Sequence, residues 1–277
     1  MNDIAIEEIE QSIRKSYHKR LFTPFAKAIN EYELLSCGDS VAVCISGGKD
    51  SFTMAKLFQE IKRHRKFDFS LRFICMDPGY SPANRQKIID NSQIMGIPVE
   101  IFESGIFDVV DHIDKNPCYL CARMRRGYLY AKARDLGCNK IALGHHYDDV
   151  IETILMGMLY GAQMQTMMPK VRSTNFPGME LIRPMYRIRE ADIISWSNSN
   201  SLDFLRCACH FTEINNTVGE EMESDSKRLE IKALIKELKH NNPYVESNIF
   251  NSAHNVNLST VLGYKENGTR HSFLEWY

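Results

Sequence analysis

Residues 41–51 read V-A-V-C-I-S-G-G-K-D-S, a short apolar run followed by a glycine turn. The run from Val41 to Ile45 is too short for a helix and rich in β-branched residues, so it predicts a buried strand. From Ser51 onward apolar residues recur at helical spacing, which predicts a helix directly after the turn. The first N–H groups of a helix lack intrahelical acceptors, and the helix dipole favours negative charge there. The stretch therefore predicts an anion-binding site.

The type of anion site follows from the spacing of the glycines. The Walker spacing G-x-x-x-x-G-K-[ST] and the dinucleotide spacing G-x-G-x-x-G are both absent. S-G-G-K-D-S is instead similar to the pyrophosphate loop of the N-type ATP pyrophosphatases, which cleave ATP between its α- and β-phosphates. An ordinary glycine turn between a strand and a helix is the alternative. The similarity implies that ATP binds to Ser46, Gly47, Gly48, Lys49, Asp50 and Ser51.

Strands and helices alternate along the middle of the chain. Further strands are predicted at Leu71–Met76, Ile97–Phe102, Asn139–Leu143 and near Leu181–Arg183. The helices between and after them are predicted at about 81–96, 121–136, 151–158 and 190–199, whereas residues 160–180 are expected to be a long irregular connection. The fold class is therefore α/β, a doubly wound parallel sheet of the Rossmann-like PP-loop type with N-terminal and C-terminal helical additions. Ligands bind at the carboxyl ends of such strands, where Ser46, Asp77 and Gly144 fall.

This pattern gives expected domain limits. We predict an N-terminal helical segment at 1–37, a PP-loop ATP pyrophosphatase domain at 38–215, and a C-terminal helical extension at 216–277 that begins with an amphipathic helix over 219–240.

Composition limits the classes of protein. The 277 residues are 44% hydrophobic and 25% charged, as in an ordinary globular protein. No apolar run approaches the ~20 residues of a membrane span, and the acidic N-terminus lacks a signal core, so we expect a cytoplasmic location. The net charge of −1 means that any surface for nucleic acid must be local. Basic residues concentrate at Arg14–Arg20, Arg123–Arg134 and Lys227–Lys239.

The motif G-H-H-Y-D-D at residues 144–149 joins the fourth predicted strand to a helix. Two adjacent aspartates favour a helix N-terminus without any chemistry. Because an ATP loop lies upstream, we predict that Asp148 or Asp149 also binds Mg²⁺. For His145 and His146 the sequence predicts either a structural role or a contact with the nucleotide.

The spacing of the eight cysteines suggests a metal site. Cys118 and Cys121 form P-C-Y-L-C, and Cys207 and Cys209 form R-C-A-C-H. Spacing alone leaves open a four-cysteine zinc site, a [4Fe–4S] cluster on three thiolates, or a redox dithiol. The remaining four lie in or beside apolar runs and are predicted to be core residues: Cys37, Cys44, Cys75 and Cys138.

Four stretches together resemble the bacterial tRNA 2-thiocytidine synthetase (TtcA) family, over roughly residues 30 to 265. They are S-G-G-K-D-S, P-C-Y-L-C-A-R-M-R-R-G, A-L-G-H-H-Y-D-D and G-A-Q-M-Q-T-M-M-P-K. The resemblance implies ATP-dependent replacement of the 2-oxygen of cytidine 32 in a tRNA by sulfur. A cysteine desulfurase would supply the sulfur, and a homodimer is compatible with the chain.

The resemblance also implies site residues. A [4Fe–4S] cluster would be held by Cys118, Cys121 and Cys207, with Cys209 as a rival third ligand because the later motif here is C-x-C. The predicted catalytic residues are Asp50, Arg125 and Asp148. The cofactors expected with them are ATP, Mg²⁺ and the cluster.

Other functions remain as alternatives. Within the superfamily these are a lysidine synthetase-like enzyme and a uridine thiolase, although the chain lacks the further cysteine pairs of the latter's zinc fingers. From a different class, the alternative is a non-catalytic nucleotide-binding redox sensor with a zinc or dithiol site.

Overall fold

The computed structural model describes residues 2–65, 68–106, 117–205 and 223–277. These residues belong to two compact units. The first includes those within Met1–Asp149 and Met168–Glu221, and the second those within Val150–Met167 and Met222–Tyr277. Within the described ranges, no helix has the length and apolar character needed to cross a membrane.

A six-stranded sheet forms the centre of the first unit. Its strands are β1 (Ser40–Ile45), β2 (Ser70–Asp77), β3 (Val99–Glu103), β4 (Lys140–Ala142), β5 (Lys170–Arg172) and β6 (Glu180–Ile182). The spatial order is β3-β2-β1-β4-β6-β5, and every neighbouring pair is parallel except β5 with β6. The predicted fold class, a doubly wound parallel sheet, is therefore confirmed.

The antiparallel edge strand β5 corrects one sequence prediction. Residues 160–180 were expected to be irregular throughout, yet 170–172 pair with β6. Three residues are too few to show an alternating pattern, and two of them are exposed, so the sequence carried no apolar signal for this strand.

The helices of the sheet layers lie close to their predicted positions. They are α1 (Asn2–Arg14), α2 (Thr23–Glu31), α3 (Lys49–Arg63), α4 (Pro82–Ile94), α5 (Pro117–Asp135), α6 (Tyr147–Gly161) and α7 (Glu190–Ser199). Ser81 caps α4, because its hydroxyl accepts a hydrogen bond from the Asn84 N–H at 3.3 Å. α5 begins four residues before its predicted start, at Pro117, which suits the first position of a helix.

The N-terminal segment belongs to the main core. Ile9, Ile13, Tyr17, Leu21 and Phe25 are all buried, one every four residues through α1, a short π-helix and α2. They join the same hydrophobic cluster as strand β1 and helix α3. This helical stripe therefore packs into the core of the first unit beside α3, where Phe25 meets Phe58 edge-on at 5.2 Å.

The second unit contains helices α8 (Glu223–Asn241) and α9 (Val245–Ser252) and a hairpin of β7 (Gly263–Glu266) with β8 (Thr269–Ser272). The predicted C-terminal helical addition is present, but the sequence analysis did not predict the hairpin. Its turn residues Asn267 and Gly268 both have positive φ, at 49° and 84°. Asn-Gly is a strong hairpin signal, so the sequence did contain the evidence. The predicted domain limits at 37 and 215 stay a prediction.

Candidate active site

A cavity lies at the carboxyl edge of the sheet, where the strand order reverses between β1 and β4. This reversal is where open α/β sheets bind ligands. The cavity has a volume of about 340 Å³. Its walls include six of the predicted site residues: Ser46, Asp50, Ser51, Arg125, Gly144 and Asp149.

The glycine turn between β1 and α3 is shaped by one hydroxyl. The Ser51 hydroxyl donates to the Gly48 carbonyl at 2.9 Å and accepts from the Ser46 N–H at 3.1 Å. Gly47 has a φ of +88°, which side chains rarely adopt. Gly48 precedes α3 and has no side chain to cap it, so the first N–H groups of α3 remain available for a bound anion.

Gly144 allows β4 to approach the start of α3. A Cβ atom at this position would lie 3.2 Å from the Asp50 carbonyl carbon and 3.2 Å from the Ser51 nitrogen. Both atoms are backbone and cannot rotate away. Gly144 thus fixes the distance between the two halves of the cavity.

Lys49 is held by two carboxylates. Its Nζ lies 3.1 Å from Asp50 Oδ2 and 3.0 Å from Glu190 Oε1. Burial lowers the pKa of Lys49, but the two carboxylates raise it on balance, so the side chain stays charged. Lys49 therefore brings a positive charge to the start of α3.

Asp50 is poorly compensated in this structure. Burial raises the pKa of its carboxyl, against the lowering effects of His146 and Lys49. Its Oδ1 atom is buried and has no hydrogen-bond partner among the described residues. An orphaned carboxylate oxygen in a cavity wall suits a bound cation or a hydrogen-bond donor.

Asp148 and Asp149 have different surroundings. Asp148 Oδ1 lies 3.0 Å from Arg189, and its Oδ2 accepts the Glu190 N–H at 2.7 Å, so both oxygens hold the start of α7. Asp149 Oδ2 accepts the His146 N–H at 2.9 Å, which caps α6. Of the two aspartates, Asp149 lines the cavity.

His146 lies between three carboxylates and is buried. Its Nδ1 is 3.5 Å from Asp149 Oδ2 and 3.8 Å from Asp148 Oδ2, and its Nε2 is 3.9 Å from Asp50 Oδ1. The imidazole therefore links the aspartates of α6 to the aspartate of α3. His145 instead lines the cavity.

The residues present fit Mg²⁺ bound together with a nucleotide. Among the described ranges, no three His, Cys, Asp or Glu side chains form a metal cage by themselves. Mg²⁺ in nucleotide enzymes commonly takes one or two carboxylates and completes its shell with phosphates and water. Asp50 and Asp149, which both line the cavity, match that donor set.

Asp77, predicted to bind ATP, lies at the end of β2 and turns away from the cavity wall. Its Oδ1 accepts the N–H groups of Gly79 and Tyr80 at 2.9 and 2.7 Å, and its Oδ2 pairs with Arg85 at 3.0 Å. Tyr80 does line the cavity. Asp77 thus holds the turn that brings Tyr80 to the site.

Two residues at or beside the cavity were not predicted from the sequence. Tyr80 follows the Asp-Pro-Gly turn, and Arg183 directly follows β6 at the same edge of the sheet. Arg183 Nε donates to His145 Nδ1 at 3.3 Å, behind the cavity wall. The rule that ligands meet strand ends was available for both residues, but at β2 it was applied only to Asp77, and β6 was not considered.

The cysteines separate into two sets. Cys44, Cys75 and Cys138 are buried, as predicted, but Cys37 is exposed, so the prediction of a core role for it was wrong. Cys37 lies in a turn before β1, where the apolar run has not yet begun. Burial raises the pKa of Cys75 to about 12 and that of Cys44 further still, as expected for thiols in an apolar core.

The predicted cluster ligands belong to the other set. Cys118 and Cys121 lie in the first turns of α5, whereas Cys207 and Cys209 lie outside the described residues. Leu205, just before that later pair, donates its N–H to the Gly47 carbonyl at 3.2 Å. Thiolates are the usual ligands of iron–sulfur clusters, so this donor set fits one.

Comparison with known proteins identifies relatives over most of the chain. Residues 18–209 match the model of a PP-loop domain family. The chain is 35% identical over 264 residues to tRNA-cytidine(32) 2-sulfurtransferase 1 of Francisella philomiragia, covering 92% of this chain and 94% of the relative. It is 33% identical over 257 residues to tRNA-cytidine(32) 2-sulfurtransferase of Coxiella burnetii, covering 91% and 95%.

One solved structure shares the fold over a similar length. It is the U34-tRNA thiolase NcsA from Methanococcus maripaludis with its [4Fe-4S] cluster. The TM-score is 0.62 at 20% identity, and the match covers 91% of this chain and 78% of that chain.

Proposed function

The chain belongs to the PP-loop family and, within it, to the tRNA-cytidine(32) 2-sulfurtransferases, and from that premise we propose that it converts cytidine 32 of tRNA to 2-thiocytidine. The single observation that carries the proposal is the cavity at the β1/β4 switch. The walls of this cavity contain residues of the pyrophosphate loop, the Asp50 oxygen that lacks a hydrogen bond, and Arg125. Phosphate groups suit the loop and Arg125, and the Asp50 oxygen suits the cation that accompanies them.

The reaction balances in two steps. The 2-oxygen of the cytosine ring attacks the α-phosphorus of ATP, and the bond to pyrophosphate breaks. A sulfur nucleophile then attacks C2, the C2–O bond breaks, and AMP leaves with the former ring oxygen. Activation is needed because a ring carbonyl oxygen is a poor leaving group.

The chain's residues would divide the first step between them. The α3 N–H groups and Lys49 hold the β- and γ-phosphates, since both are donors at the start of a helix. Asp50 and Asp149 hold Mg²⁺, which offsets the charge that develops during transfer. Asp148 keeps the start of α7 in place, so its role is positioning. Arg125, in the cavity wall, would neutralise the α-phosphate.

The second step requires a sulfur source. A [4Fe–4S] cluster held by Cys118, Cys121 and Cys207 would supply iron that binds sulfur. We propose a cysteine desulfurase as the donor protein. The lysidine synthetase and redox-sensor alternatives gain no support from the named relatives, which are sulfurtransferases.

Nucleoside mass spectrometry of total tRNA tests the proposal. Deletion of the gene should remove 2-thiocytidine, the wild-type gene should restore it, and the Asp50→Asn gene should not. A strain without a second copy of the enzyme that keeps its full level of 2-thiocytidine after deletion would contradict the proposal.

A further inference from the structure

A second cavity of about 550 Å³ lies in the first unit between α5 and the β5–β6 pair. Four arginines line it: Arg123, Arg126, Arg172 and Arg183. We call these four residues the arginine groove. The residues between β5 and β6 add uncharged polar side chains to its wall: Ser173, Thr174 and Asn175.

Arg183 forms the buried end of the groove. Arg183 is only 8% exposed, yet the two groups that accept its hydrogen bonds carry no negative charge. Nε donates to His145 Nδ1 at 3.3 Å, and Nη1 donates to the Met168 carbonyl. Within the described residues no carboxylate lies within ion-pair distance of its guanidinium. Asp149 attracts this charge only from beyond ion-pair distance and does not offset its burial, so the site suits an incoming anion.

The remaining groove arginines are also short of acidic partners. Burial, together with the second positive charge that Arg126 places near Arg183, lowers the pKa of Arg183 to about 10. Arg123 and Arg126 are exposed and have no ion pair in the described part of the chain. Arg172 lies 3.6 Å from Glu180, but its side chain is 92% exposed, so this pair contributes little.

The other two basic segments of the sequence differ in this respect. In the N-terminal segment, Arg14 lies 2.6 Å from Glu10 and 2.9 Å from Glu60. In α8, Arg228 lies 3.1 Å from Glu152, which also faces Lys232. The arginines Arg14 and Arg228 are therefore already paired with carboxylates of their own unit. The arginine groove is therefore the better anion site.

Helix α5 places the groove beside the cavity at the carboxyl ends of β1 and β4, which we call the nucleotide cavity. Arg125 and Leu129, four residues apart, line the nucleotide cavity. Arg123, Arg126 and Tyr130 follow helical spacing on another side of the same helix and line the groove. The Arg183–His145 hydrogen bond joins the two cavities at their inner ends.

We propose that the arginine groove binds backbone phosphates of the tRNA next to the nucleotide that enters the cavity. The inference rests on the proposed function, because it takes tRNA as the substrate. Guanidinium groups bind phosphate through paired hydrogen bonds, and hydroxyl and amide side chains also contact phosphate. The phosphates of ATP already have a site at the start of α3, so cations spread over α5 and the β5–β6 pair suit a polymer.

The test measures RNA binding by the full-length protein. Fluorescence anisotropy gives the Kd of an unmodified anticodon stem-loop containing cytidine 32 at several salt concentrations. Arg126→Gln and Arg172→Gln change exposed residues, so both variants should fold; Arg183 is avoided because its replacement would break the His145 and Met168 contacts. The matched control is Arg72→Gln, an exposed arginine near the start of β2, at the opposite edge of the sheet.

Each groove variant should weaken RNA binding by up to about fivefold, with the double variant losing more. The slope of log Kd against log salt should fall by about 0.7–0.9 for each lost phosphate contact. The control should match wild type, and the Kd for MgATP should not change in any variant. RNA binding is measured without thiolation, so the two proposals can fail separately. If the groove variants weaken RNA binding but the protein forms no 2-thiocytidine in cells, the groove is supported and the proposed function is not.

Two results would overturn the inference. One is a double variant whose RNA affinity and salt slope equal those of wild type. The other is weakened binding of MgATP or pyrophosphate with unchanged RNA binding, which would assign the groove to the nucleotide.

Discussion

Replacing Asp50 by asparagine should stabilise the protein while impairing nucleotide binding. Burial disfavours the charged form of Asp50, whose Oδ1 has no hydrogen bond among the described residues; the neutral amide would also lack a partner there, but removing the buried charge should gain about 1–3 kcal/mol. Against this, the variant loses the attraction between Asp50 and Lys49, whose side chains are 30% and 27% exposed, and such a pair contributes about 0–1 kcal/mol. The net expected gain is on the order of 1 kcal/mol, or roughly 2–4 °C in Tm.

Thermal unfolding with and without saturating MgATP measures both effects. Wild type should gain about 2.7 kcal/mol when ligand is present at a hundred times its Kd, whereas Asp50→Asn should gain much less. The order of the two Tm values should therefore reverse when MgATP is added. This reversal is expected because the same carboxylate is unfavourable alone and favourable beside a cation.

The pH dependence follows from the raised pKa of Asp50. Its ordinary value is 3.8, and burial raises it in the folded state. The folded protein then holds the proton more tightly than the unfolded chain, so stability is lost as pH rises through this window. The advantage of Asp50→Asn should be full above the raised pKa and should vanish as pH falls towards 3.8.

Asp148→Asn is the matched control, because it should lower stability where Asp50→Asn should raise it. Both Asp148 oxygens are engaged, at 3.0 Å with Arg189 and 2.7 Å with the Glu190 N–H, so this variant should lose about 1–3 kcal/mol. If Asp50→Asn lowers Tm without nucleotide, or keeps the full MgATP shift, the assignment of Asp50 to the cation is refuted.

Two further predictions concern backbone packing and the cluster. Gly144→Ala should lower stability by about 1–3 kcal/mol and weaken ATP binding, because the added Cβ meets fixed backbone atoms at 3.2 Å. Gly127→Ala is the control, since its Cβ would enter open space in α5, and it should not lower Tm. Equal Tm values for the two variants would contradict this prediction. Alanine variants of Cys118, Cys121 and Cys207 should lose iron after anaerobic reconstitution, while the exposed Cys37 serves as the control. Iron loss with Cys209→Ala but not with Cys207→Ala would exchange the third ligand, and zinc without iron would exclude the cluster.

Patterns of apolar residues were enough to predict the sheet and the cavity. The run from Val41 to Ile45 and the glycine turn after it identify both the central strand and the start of α3. Once alternating strands imply a parallel sheet, strand ends such as Gly144 must meet at one edge. Local sequence therefore carried the fold and the position of the site.

The distribution of roles among the carboxylates was not predictable in this way. Asp148 and Asp149 are neighbours in sequence and equal in chemistry. Only the position of α7 assigns both oxygens of Asp148 to Arg189 and the Glu190 N–H. That contact joins residues 42 positions apart, and no local pattern encodes it.

Helix α5 shows the same limit and explains how two binding sites can share one short segment. Successive residues of an α-helix are turned by about 100°, so neighbours in sequence face different directions. Arg125 accordingly lines the nucleotide cavity, while Arg126 lines the arginine groove. In the sequence both belong to one basic run after C-x-x-C, and composition gives them equal weight. The helix places that run on two walls, to which our proposals assign the nucleotide phosphates and the RNA phosphates respectively.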